Sequence, residues 1–485
     1  MKILRLLGVV TLLGLLLAPS AWAERPNLIL LNIDDLGYGD TGPYGSKINR
    51  TPNLDRMTAE GRKLTSHYAA PVCSPSRAAL MTGCYPKRAL PIPHVLFPAA
   101  AVGLNPDEQT IAELLKKAGY ATACIGKWHL GDQPEFLPTR QGFDHYYGIP
   151  YSNDMGPPED GAKSNPGHPH PQRKGKGKQS KQTETGITGL DQPPLPLLED
   201  ETVIQRVRAD DQATITRRYT ERAVHFIREN KDRPFFLYLP HSAVHFPHYP
   251  GKRFRHESPN DLLGNWVEEV DWSVGQILDT LRDLDLQENT LVIFTSDNGG
   301  PVNQGAHNTP LRGSKGSTLE GGIRTCTIAW WPGKVPAGTS TDAITSMMDI
   351  LPTFVSLGGG TLPADRKLDG VDITSVLTGS ESADAPRDTF HYFRGLTLEA
   401  VRSGPWKLHL GKGQLYNLAQ DIGEEHDVSA DHPQVVARLR ALAMEMDSDL
   451  GLDGKGPGCR PLGRVSDPQP LIADDGTIRK GFEPR

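Results

Sequence analysis

Cys73 opens a segment whose residue types could support nucleophilic chemistry. The residues after it predict a helix, with Pro75 suited to the first helical position. A group at the start of a helix faces free backbone N–H donors and the positive end of the helix dipole, so an anionic nucleophile or oxyanion is favoured there. Arg77 adds a fixed cation one turn later. A lone cysteine at a helix start is more often a structural residue, so the rest of the sequence must decide.

Two apolar runs each end in a pair of oxygen-bearing side chains. A run typical of a strand buried on both faces precedes Asp34 and Asp35, and a second such run precedes Asp297 and Asn298. Open α/β sheets build their sites just past the carboxyl ends of such strands. Three carboxylates and one amide oxygen suit Ca²⁺ or Mg²⁺ better than zinc or copper. A single Asp pair after a strand can simply be part of a turn, where Asp is common. Two pairs beside Cys73 favour a metal site.

The segment from Cys73 to Arg77 resembles the Cys-x-Pro-Ser-Arg signature of the type I sulfatases. In that family the cysteine is oxidised to Cα-formylglycine, whose hydrated aldehyde is the nucleophile. The resemblance therefore implies a formylglycine-generating maturation enzyme as a partner. It also implies one divalent metal, Ca²⁺ or Mg²⁺, held by Asp34, Asp35, Asp297, Asn298 and the residue made from Cys73.

Further segments are similar to the family's other motifs and follow in the same order. A Gly-Lys-Trp-His-Leu-Gly motif after a strand-like run carries Lys127 and His129. His245 lies in a His-x-Pro element, and Lys315 lies in a loop that resembles the one carrying the family's second lysine. Ser152 ends a segment similar to an arylsulfatase A element whose serine contacts the sulfate.

The resemblance implies a role for each of these side chains. Arg77, Lys127 and Lys315 provide fixed cations for the spread negative charge of a sulfate monoester. One hydroxyl of the hydrated aldehyde attacks sulfur, and the other expels sulfate by C–O cleavage with His129 as the base. Either His245 or Lys315 protonates the leaving alcohol. The substrate contacts are expected from Ser152, Lys127, His245 and Lys315.

The elements that must position these residues alternate along the chain. From about residue 26 to 375, strand-like runs alternate with amphipathic helices, among them helices at 107–118, 216–230 and around 267–281. This alternation predicts a mostly parallel sheet with helices on both faces. The resemblance implies the alkaline-phosphatase-like α/β fold, with a catalytic domain over residues 24–375.

Two regions depart from this alternation. Residues 376–485 predict a smaller C-terminal domain with an antiparallel sheet and a helix near 433–447, ending in a loosely held tail rich in Gly, Pro and charge. Residues 156–195 are rich in Pro, Gly, Gln and Lys and predict a flexible basic surface insertion. The sharper alternative for this insertion is a basic flap that binds a sulfated glycan.

Composition and the N-terminus indicate an exported protein. The 485 residues are 37% hydrophobic and 23% charged, which suits a globular chain of more than one domain. The net charge of −6 argues against a nucleic-acid partner. Residues 1–23 read as a signal peptide cleaved near Ala23, so the mature chain is expected in the periplasm or outside the cell. The apolar run is too short to span a membrane, and no stable membrane anchor is expected.

Four cysteines remain when Cys73 is set aside as the modified residue. In an exported protein they could pair or stay as free buried thiols, and the pattern leaves this open for Cys84, Cys124, Cys326 and Cys459.

The expected activity is hydrolysis of sulfate monoesters, with aryl sulfates as surrogates and a carbohydrate sulfate as the natural ester. Residues 96–108 and 151–152 resemble the arylsulfatase A and N-acetylgalactosamine-6-sulfatase branch. One alternative is a phosphoester or phosphonate hydrolase of the same superfamily, although such enzymes typically carry Asp-His where this chain has Asp297 and Asn298. Another is a glycan-binding relative in which Cys73 stays a thiol.

Overall fold

The computed structural model of this chain describes residues 25–172, 181–255, 258–379 and 386–484. The predicted signal peptide at 1–23 and the most lysine-rich part of the insertion, 173–180, lie outside these ranges. Within the described ranges, no helix has the length and apolar character needed to cross a membrane.

The strands and helices follow one another in the alternation that the sequence predicts. In chain order the strands are β1 (Asn27–Ile33), β2 (Arg62–Tyr68), β3 (Val102–Gly103), β4 (Ala121–Ile125), β5 (His145–Gly148), β6 (Lys181–Thr183), β7 (Gly186–Thr188), β8 (Pro196–Glu199), β9 (Thr202–Arg206), β10 (Phe235–His241), β11 (Thr290–Ser296), β12 (Arg324–Trp330), β13 (Thr339–Thr341), β14 (Thr345–Ser346), β15 (Thr389–Arg394), β16 (Thr397–Ser403), β17 (Trp406–His409), β18 (Leu415–Asn417) and β19 (Gly463–Arg464). The α-helices are α1 (Pro52–Ala59), α2 (Cys73–Thr82), α3 (Pro86–Ala89), α4 (Ile111–Lys117), α5 (Ala209–Glu229), α6 (Asp261–Asp283), α7 (Glu320–Ile323), α8 (Ile350–Leu357), α9 (Thr374–Thr378) and α10 (Pro433–Asp447).

An eleven-stranded sheet forms the centre of the molecule, in the order β13-β2-β12-β11-β1-β10-β4-β5-β8-β9, with β14 also paired to β2. The five strands β11, β1, β10, β4 and β5 run parallel. Antiparallel pairs join β12 to β11 on one side and β8 to β5 on the other. The predicted mostly parallel α/β sheet is confirmed.

Helices cover both faces of this sheet. Alternate residues of β1 point into two separate hydrophobic clusters because side chains alternate along a strand. Leu28 and Leu30 pack with α2, α4 and α8, whereas Ile29 and Leu31 pack with α5 and α6. All seven residues of β1 are buried, which is why the strand reads as a continuous apolar run.

The helix boundaries differ from the predicted ones where the first turn is polar. Helix α4 begins after Thr110, whose hydroxyl accepts the Glu113 N–H in a capping box, so residues 107–109 lie outside it. Helix α5 begins at Ala209, seven residues before the predicted start at 216. Its first turn contains Asp210 and Asp211, which carry no apolar signal but suit the N-terminal end of a helix dipole.

The C-terminal part contains a four-stranded antiparallel sheet, β15-β16-β17-β18, with α10 packed against β16 and β17. This confirms the expected smaller sheet and helix. The tail beyond them is not loosely held: β19 pairs with β3, and the side chains of Leu471, Ile472 and Phe482 are buried. Three apolar residues scattered among polar ones are enough to dock the tail, although the composition hides them.

The described part of the 156–195 insertion is also attached to the body of the protein. Strands β6 and β7 form a hairpin whose connecting residues Glu184 and Thr185 accept backbone hydrogen bonds from Ala101 and Phe97. Ile187 donates its N–H to the carbonyl of Pro98 at 2.8 Å. Backbone hydrogen bonds therefore join this hairpin to residues 97–101.

All five cysteines are free thiols in the structure. Four are buried and Cys459 is half-buried. The open question of pairing is thus answered in favour of free thiols.

Candidate active site

The two Asp-bearing segments leave the sheet side by side. Strands β1 and β11 are parallel neighbours with Ile33 opposite Ser296, so the residues that follow emerge at the same edge. The Asp297 N–H donates to the Ile33 carbonyl at 3.0 Å. The amide of Asn298 donates to Asp35 Oδ1 at 2.8 Å, and the Asp35 N–H lies 3.4 Å from Asp297 Oδ1. The topology thus brings together the predicted oxygen ligands.

Cys73 is the first residue of α2 and is 2% exposed. Pro75 therefore occupies the third helical position rather than the predicted first one, a place in the first turn where its missing N–H costs no helical hydrogen bond. The potential ligand atoms of Cys73, Asp34, Asp35 and His245 lie within 4.8 Å of one another.

The unmodified Cys73 thiol is a poor nucleophile in this environment. Burial raises its pKa to about 12, and the carboxylates of Asp34 and Asp297 act in the same direction against the two lysines nearby. A thiol reacts as its thiolate, and at neutral pH this one stays protonated.

Arg77 is a fixed cation in the interior. Its Nε and Nη2 atoms donate to Asp297 Oδ2 at 3.0 and 2.8 Å, and Nη1 donates to the backbone carbonyl of Lys127. Its side chain is fully buried. Burial and the Asp34 carboxylate raise the pKa of Asp297 to about 6, although Arg77 and Lys127 act against them.

The two predicted lysines each contact one carboxylate of the first pair. Lys127 Nζ donates to Asp34 Oδ2 and, at 3.2 Å, to Ser152 Oγ. Lys315 Nζ lies 2.7 and 2.8 Å from the two oxygens of Asp35. Burial alone would lower the pKa of Lys315, but Asp35 raises it above its ordinary value. Burial also opposes the charge of Lys127, but Asp34 raises its pKa above the ordinary value, so both side chains are charged ammonium groups at neutral pH.

His129 is a buried, neutral imidazole with one free nitrogen. Its backbone adopts a positive φ of 67°, and its Nε2 donates to the Leu96 carbonyl at 2.9 Å. Among the described residues its Nδ1 has no hydrogen-bond partner. Burial, Lys127 and Arg77 hold the pKa of His129 well below its ordinary value. The Leu96 bond fixes the tautomer, so Nδ1 carries a lone pair that can accept a proton.

His245 connects Ser152 to the carboxylates. Its Nδ1 lies 2.6 Å from the Phe246 carbonyl and 3.3 Å from Ser152 Oγ. Its Nε2 lies 3.6 Å from Asp35 Oδ2. Hydrogen bonds and ion pairs therefore link the predicted site residues other than Cys73 and His129 into one cluster. Cys73 Sγ lies within 4.8 Å of potential ligand atoms in this cluster, and the charges of Lys127 and Arg77 act on His129.

Comparison with known proteins identifies the family. A model of the family described as Sulfatase matches residues 26–360. The chain belongs to the sulfatase family. It is 39% identical over 426 residues to the N-acetylgalactosamine-6-sulfatase of Canis lupus familiaris, which covers 84% of this chain and 75% of that protein. It is 36% identical over 478 residues to the arylsulfatase A of Homo sapiens, covering 90% of each.

A solved structure gives the same result. The crystal structure of Ps i-CgsB in complex with k-i-k-neocarrahexaose is 31% identical, with a TM-score of 0.74 over 91% of this chain and 95% of that chain. The family resemblance, the fold and the class of enzyme, a sulfuric ester hydrolase, are thereby confirmed.

The carboxylate end of the sulfatase site has the donor set of a hard cation. Asp34 Oδ1 and Asn298 Oδ1 are buried side-chain oxygens without a hydrogen-bond partner among the described residues. A buried oxygen without a partner is costly unless a cation or water satisfies it. With Asp35 and Asp297 beside them, these oxygens fit Ca²⁺ or Mg²⁺.

Asp154 is a site residue that the sequence analysis missed. Its Oδ1 lies 4.0 Å from His245 Nδ1. Burial alone would raise its pKa, but His245 and Lys163 hold it below its ordinary value, so it is a carboxylate at neutral pH. A single Asp two residues past Ser152 forms no pattern, and only its nearness to the serine could have indicated it.

The sulfatase site opens on one side. The side chains of Asp34 and Arg77 are completely buried, whereas those of His245, Lys315 and Asp154 are 12%, 20% and 33% exposed. The cluster is therefore accessible to solvent on the side of these three residues.

Proposed function

We propose that this sulfatase hydrolyses a sulfate monoester carried by a carbohydrate, through a formylglycine made from Cys73 and one bound Ca²⁺ or Mg²⁺. The observation that carries the proposal is the position of Cys73, buried at a helix start among the strand-end carboxylates and beside fixed cations. The relatives support a sugar ester, since one is named an N-acetylgalactosamine-6-sulfatase. Export after cleavage near Ala23 and action by a formylglycine-generating enzyme belong to the same proposal.

The metal would be held by Asp34, Asp35, Asp297, Asn298 and the residue made from Cys73. The unpartnered oxygens of Asp34 and Asn298 support this assignment. When bound, the metal supplies positive charge where negative charge develops on the ester.

Cys73 itself is proposed as the site of modification. When converted to Cα-formylglycine, its hydrated aldehyde supplies the hydroxyl nucleophile that a protonated thiol with a pKa of about 12 cannot replace.

The other side chains would bind the sulfate group and act as the base. Arg77, held by Asp297, and the ammonium groups of Lys127 and Lys315 would bind the sulfate oxygens and balance their charge. His129 Nδ1 has the free lone pair that a base requires.

The proton for the departing alcohol would come from the open side of the site. His245 Nε2 and Lys315 Nζ both lie near Asp35 there and are partly exposed. Ser152, bonded to Lys127 and next to His245, would orient the sulfate between them.

A substrate comparison tests this function. The purified protein, supplied with Ca²⁺ or Mg²⁺ in turn, is assayed on an aryl sulfate, on N-acetylgalactosamine 6-sulfate and on the matching aryl phosphate and phosphonate esters. Sulfate release measured by ion chromatography should exceed phosphate or phosphonate release by at least about 100-fold in kcat/KM. Faster cleavage of the phosphorus esters would support the phosphoester or phosphonate hydrolase instead.

A further inference from the structure

A cavity of about 600 Å³ lies between the loop that carries Lys315 and the C-terminal sheet. Residues 316–319 form one wall, and side chains from β15 to β18 and their turns form the other. The volume is in the range of small-ligand sites, which span roughly 300–1,000 Å³. None of the residues predicted for catalysis or metal binding lines it.

The cavity carries an excess of positive charge. Its lining includes Arg312, Arg394 and Lys412, with Glu399 as the acidic residue. Glu399 is already satisfied, because Arg394 lies 2.7 Å from its Oε1 and Thr318 donates to its Oε2 at 2.7 Å. Arg312 and Lys412 are therefore the two cationic side chains that remain to attract an anion.

Those two cations are exposed and free of acidic partners. Within residues 25–172, 181–255, 258–379 and 386–484, neither Arg312 nor Lys412 has a carboxylate at ion-pair distance. The Arg312 guanidinium carbon lies 5.7 Å from the ring centre of Tyr416, a buried aromatic that also lines the cavity. Arg312 is thus held over an aromatic wall while its charge stays available.

The loop that carries Lys315 connects the cavity to the catalytic cluster. Lys315 reaches Asp35 with its ammonium group, and the next residue, Gly316, lines the cavity. Adjacent Cα atoms are about 3.8 Å apart, so the cavity wall begins one residue from a proposed sulfate-binding lysine. The loop is also fixed at Arg312, whose carbonyl accepts the Gly321 N–H at 2.8 Å.

We propose that this cavity binds a second anionic group, a sulfate or carboxylate on the neighbouring sugar of the same glycan, through Lys412 and through Arg312 held over Tyr416. The inference rests on the proposed function and adds to it a substrate class: a polyanionic oligosaccharide rather than an isolated sugar sulfate. One sugar places its ester beside Lys315, and the next places its charge in the cavity.

The test compares two disaccharides of galactose and N-acetylglucosamine, one with a sulfate on a single sugar and one with a sulfate on each sugar, as competitive inhibitors of aryl sulfate turnover. Neither sugar carries a carboxylate, so only the second compound has an anionic group on the neighbouring sugar. In the wild-type enzyme, the disulfated compound should have an inhibition constant at least about fivefold lower. The double substitution Arg312→Ala, Lys412→Ala should remove that difference and retain aryl sulfate turnover. The difference should also shrink towards ~1 M salt, where the Debye length is ~3 Å.

Lys334→Ala provides a matched control. Lys334 is exposed and follows the C-terminal end of β12. The N-terminal end of that strand, at Arg324, is the end nearer the site. This variant should keep the wild-type difference between the two inhibitors. A wild-type enzyme that binds both disaccharides equally, or a double variant that still discriminates, would overturn the inference.

Failure of the underlying function has a different signature. An enzyme that turns over no aryl sulfate would contradict the proposed function, and the same disaccharides would then be titrated by calorimetry into wild-type protein and the double variant. Tighter binding of the disulfated compound by wild-type protein alone would support the cavity assignment. Equal affinity would overturn it.

Discussion

Asp297 contacts both the buried arginine of the cluster, Arg77, and an aspartate of the first strand end, Asp35. It holds the Arg77 guanidinium through two hydrogen bonds and lies beside Asp35, whose N–H approaches its other oxygen. If the four strand-end residues bind one cation, this carboxylate is a ligand and also the anchor of the buried arginine. Its loss should therefore affect metal binding first and sulfate recognition with it.

We expect Asp297→Ala to lose the bound metal and to lower kcat/KM for an aryl sulfate by more than about 100-fold. The reason is that removing one of three carboxylates leaves too few anionic ligands to dehydrate Ca²⁺ or Mg²⁺. Elemental analysis should show one equivalent of metal in wild-type protein and almost none in the variant. Asp297→Asn, which preserves volume, gives the same readout if the alanine variant does not fold.

Asp154→Asn is the matched control for this measurement. It neutralises another carboxylate of the same cluster, but one on the open side beside His245. The variant should keep its metal. Full metal occupancy in both Asp297 variants, or zinc as the bound metal, would contradict the assignment.

Single residues were predictable where they stand in a motif and not where they stand alone. Cys73 and the strand-end acids could be proposed from their places at a predicted helix start and at the ends of apolar strands, and Lys127 because its motif resembles one of the family's. Asp154 could not, since its importance comes from its distance to His245 in space.

The elements of the sheet position the site, and the C-terminal sheet is joined to them by a buried charge network. Lys407 on β17 contacts Glu320 at 2.8 Å and Glu424 at 3.0 Å, and all three side chains are fully buried. The hydroxyls of Tyr68 and Tyr392 also donate to Glu320. Glu320 is the first residue of α7, and α7 directly follows the loop that carries Lys315. The network therefore fixes the C-terminal end of that loop.

Lys407→Met should destabilise the protein by about 3–5 kcal/mol, because Glu424 loses its lysine and Glu320 keeps only Arg324 as an ion-pair partner among the described residues. Chemical unfolding monitored by circular dichroism measures the change. The triple variant Lys407→Met, Glu320→Gln, Glu424→Gln should recover part of the loss, since neither carboxylate is still charged. The recovery is partial because Arg324 then lacks the carboxylate of Glu320, which it contacts at 3.2 Å. A single variant as stable as wild type would contradict the account of this interface.

The pH dependence of this network follows from the carboxylates. Burial alone would raise the pKa of Glu320, but Lys407, Arg324 and Arg402 hold it below its ordinary value. Its contribution to stability is therefore fully present above the unfolded value of about 4.3 and is lost as the pH falls towards the folded value. Wild-type protein should lose stability below about pH 4 more steeply than the triple variant.

Strands and helices were predictable where burial gives the sequence a recognisable pattern of apolar residues. Strand β1 was located to the residue because both of its faces are buried. The start of α5 was missed because Asp210 and Asp211 stabilise a helix end without adding to its apolar stripe. The Lys407 network could not be predicted, since it joins residues far apart in sequence whose charges are ordinarily found on the surface.

The whole molecule places a largely buried catalytic cluster at one edge of its sheet and a basic cavity that begins one residue after Lys315. Composition predicted the class of protein but not this arrangement, and it was misleading for the tail, where Leu471, Ile472 and Phe482 are buried within a polar sequence. The arrangement matters for function because an extended anionic chain can reach the cluster only along its open side. On the proposed function, that cluster hydrolyses sulfate esters only after Cys73 has been converted to formylglycine.

The mass of the peptide that contains Cys73 tests this central claim most directly. In active protein made with a formylglycine-generating enzyme, mass spectrometry should find the peptide about 18 Da lighter than the thiol form. Activity across preparations should rise in proportion to that fraction, and Cys73→Ala should be folded and inactive. Full sulfate-ester hydrolysis by protein in which Cys73 is entirely a thiol would contradict the account.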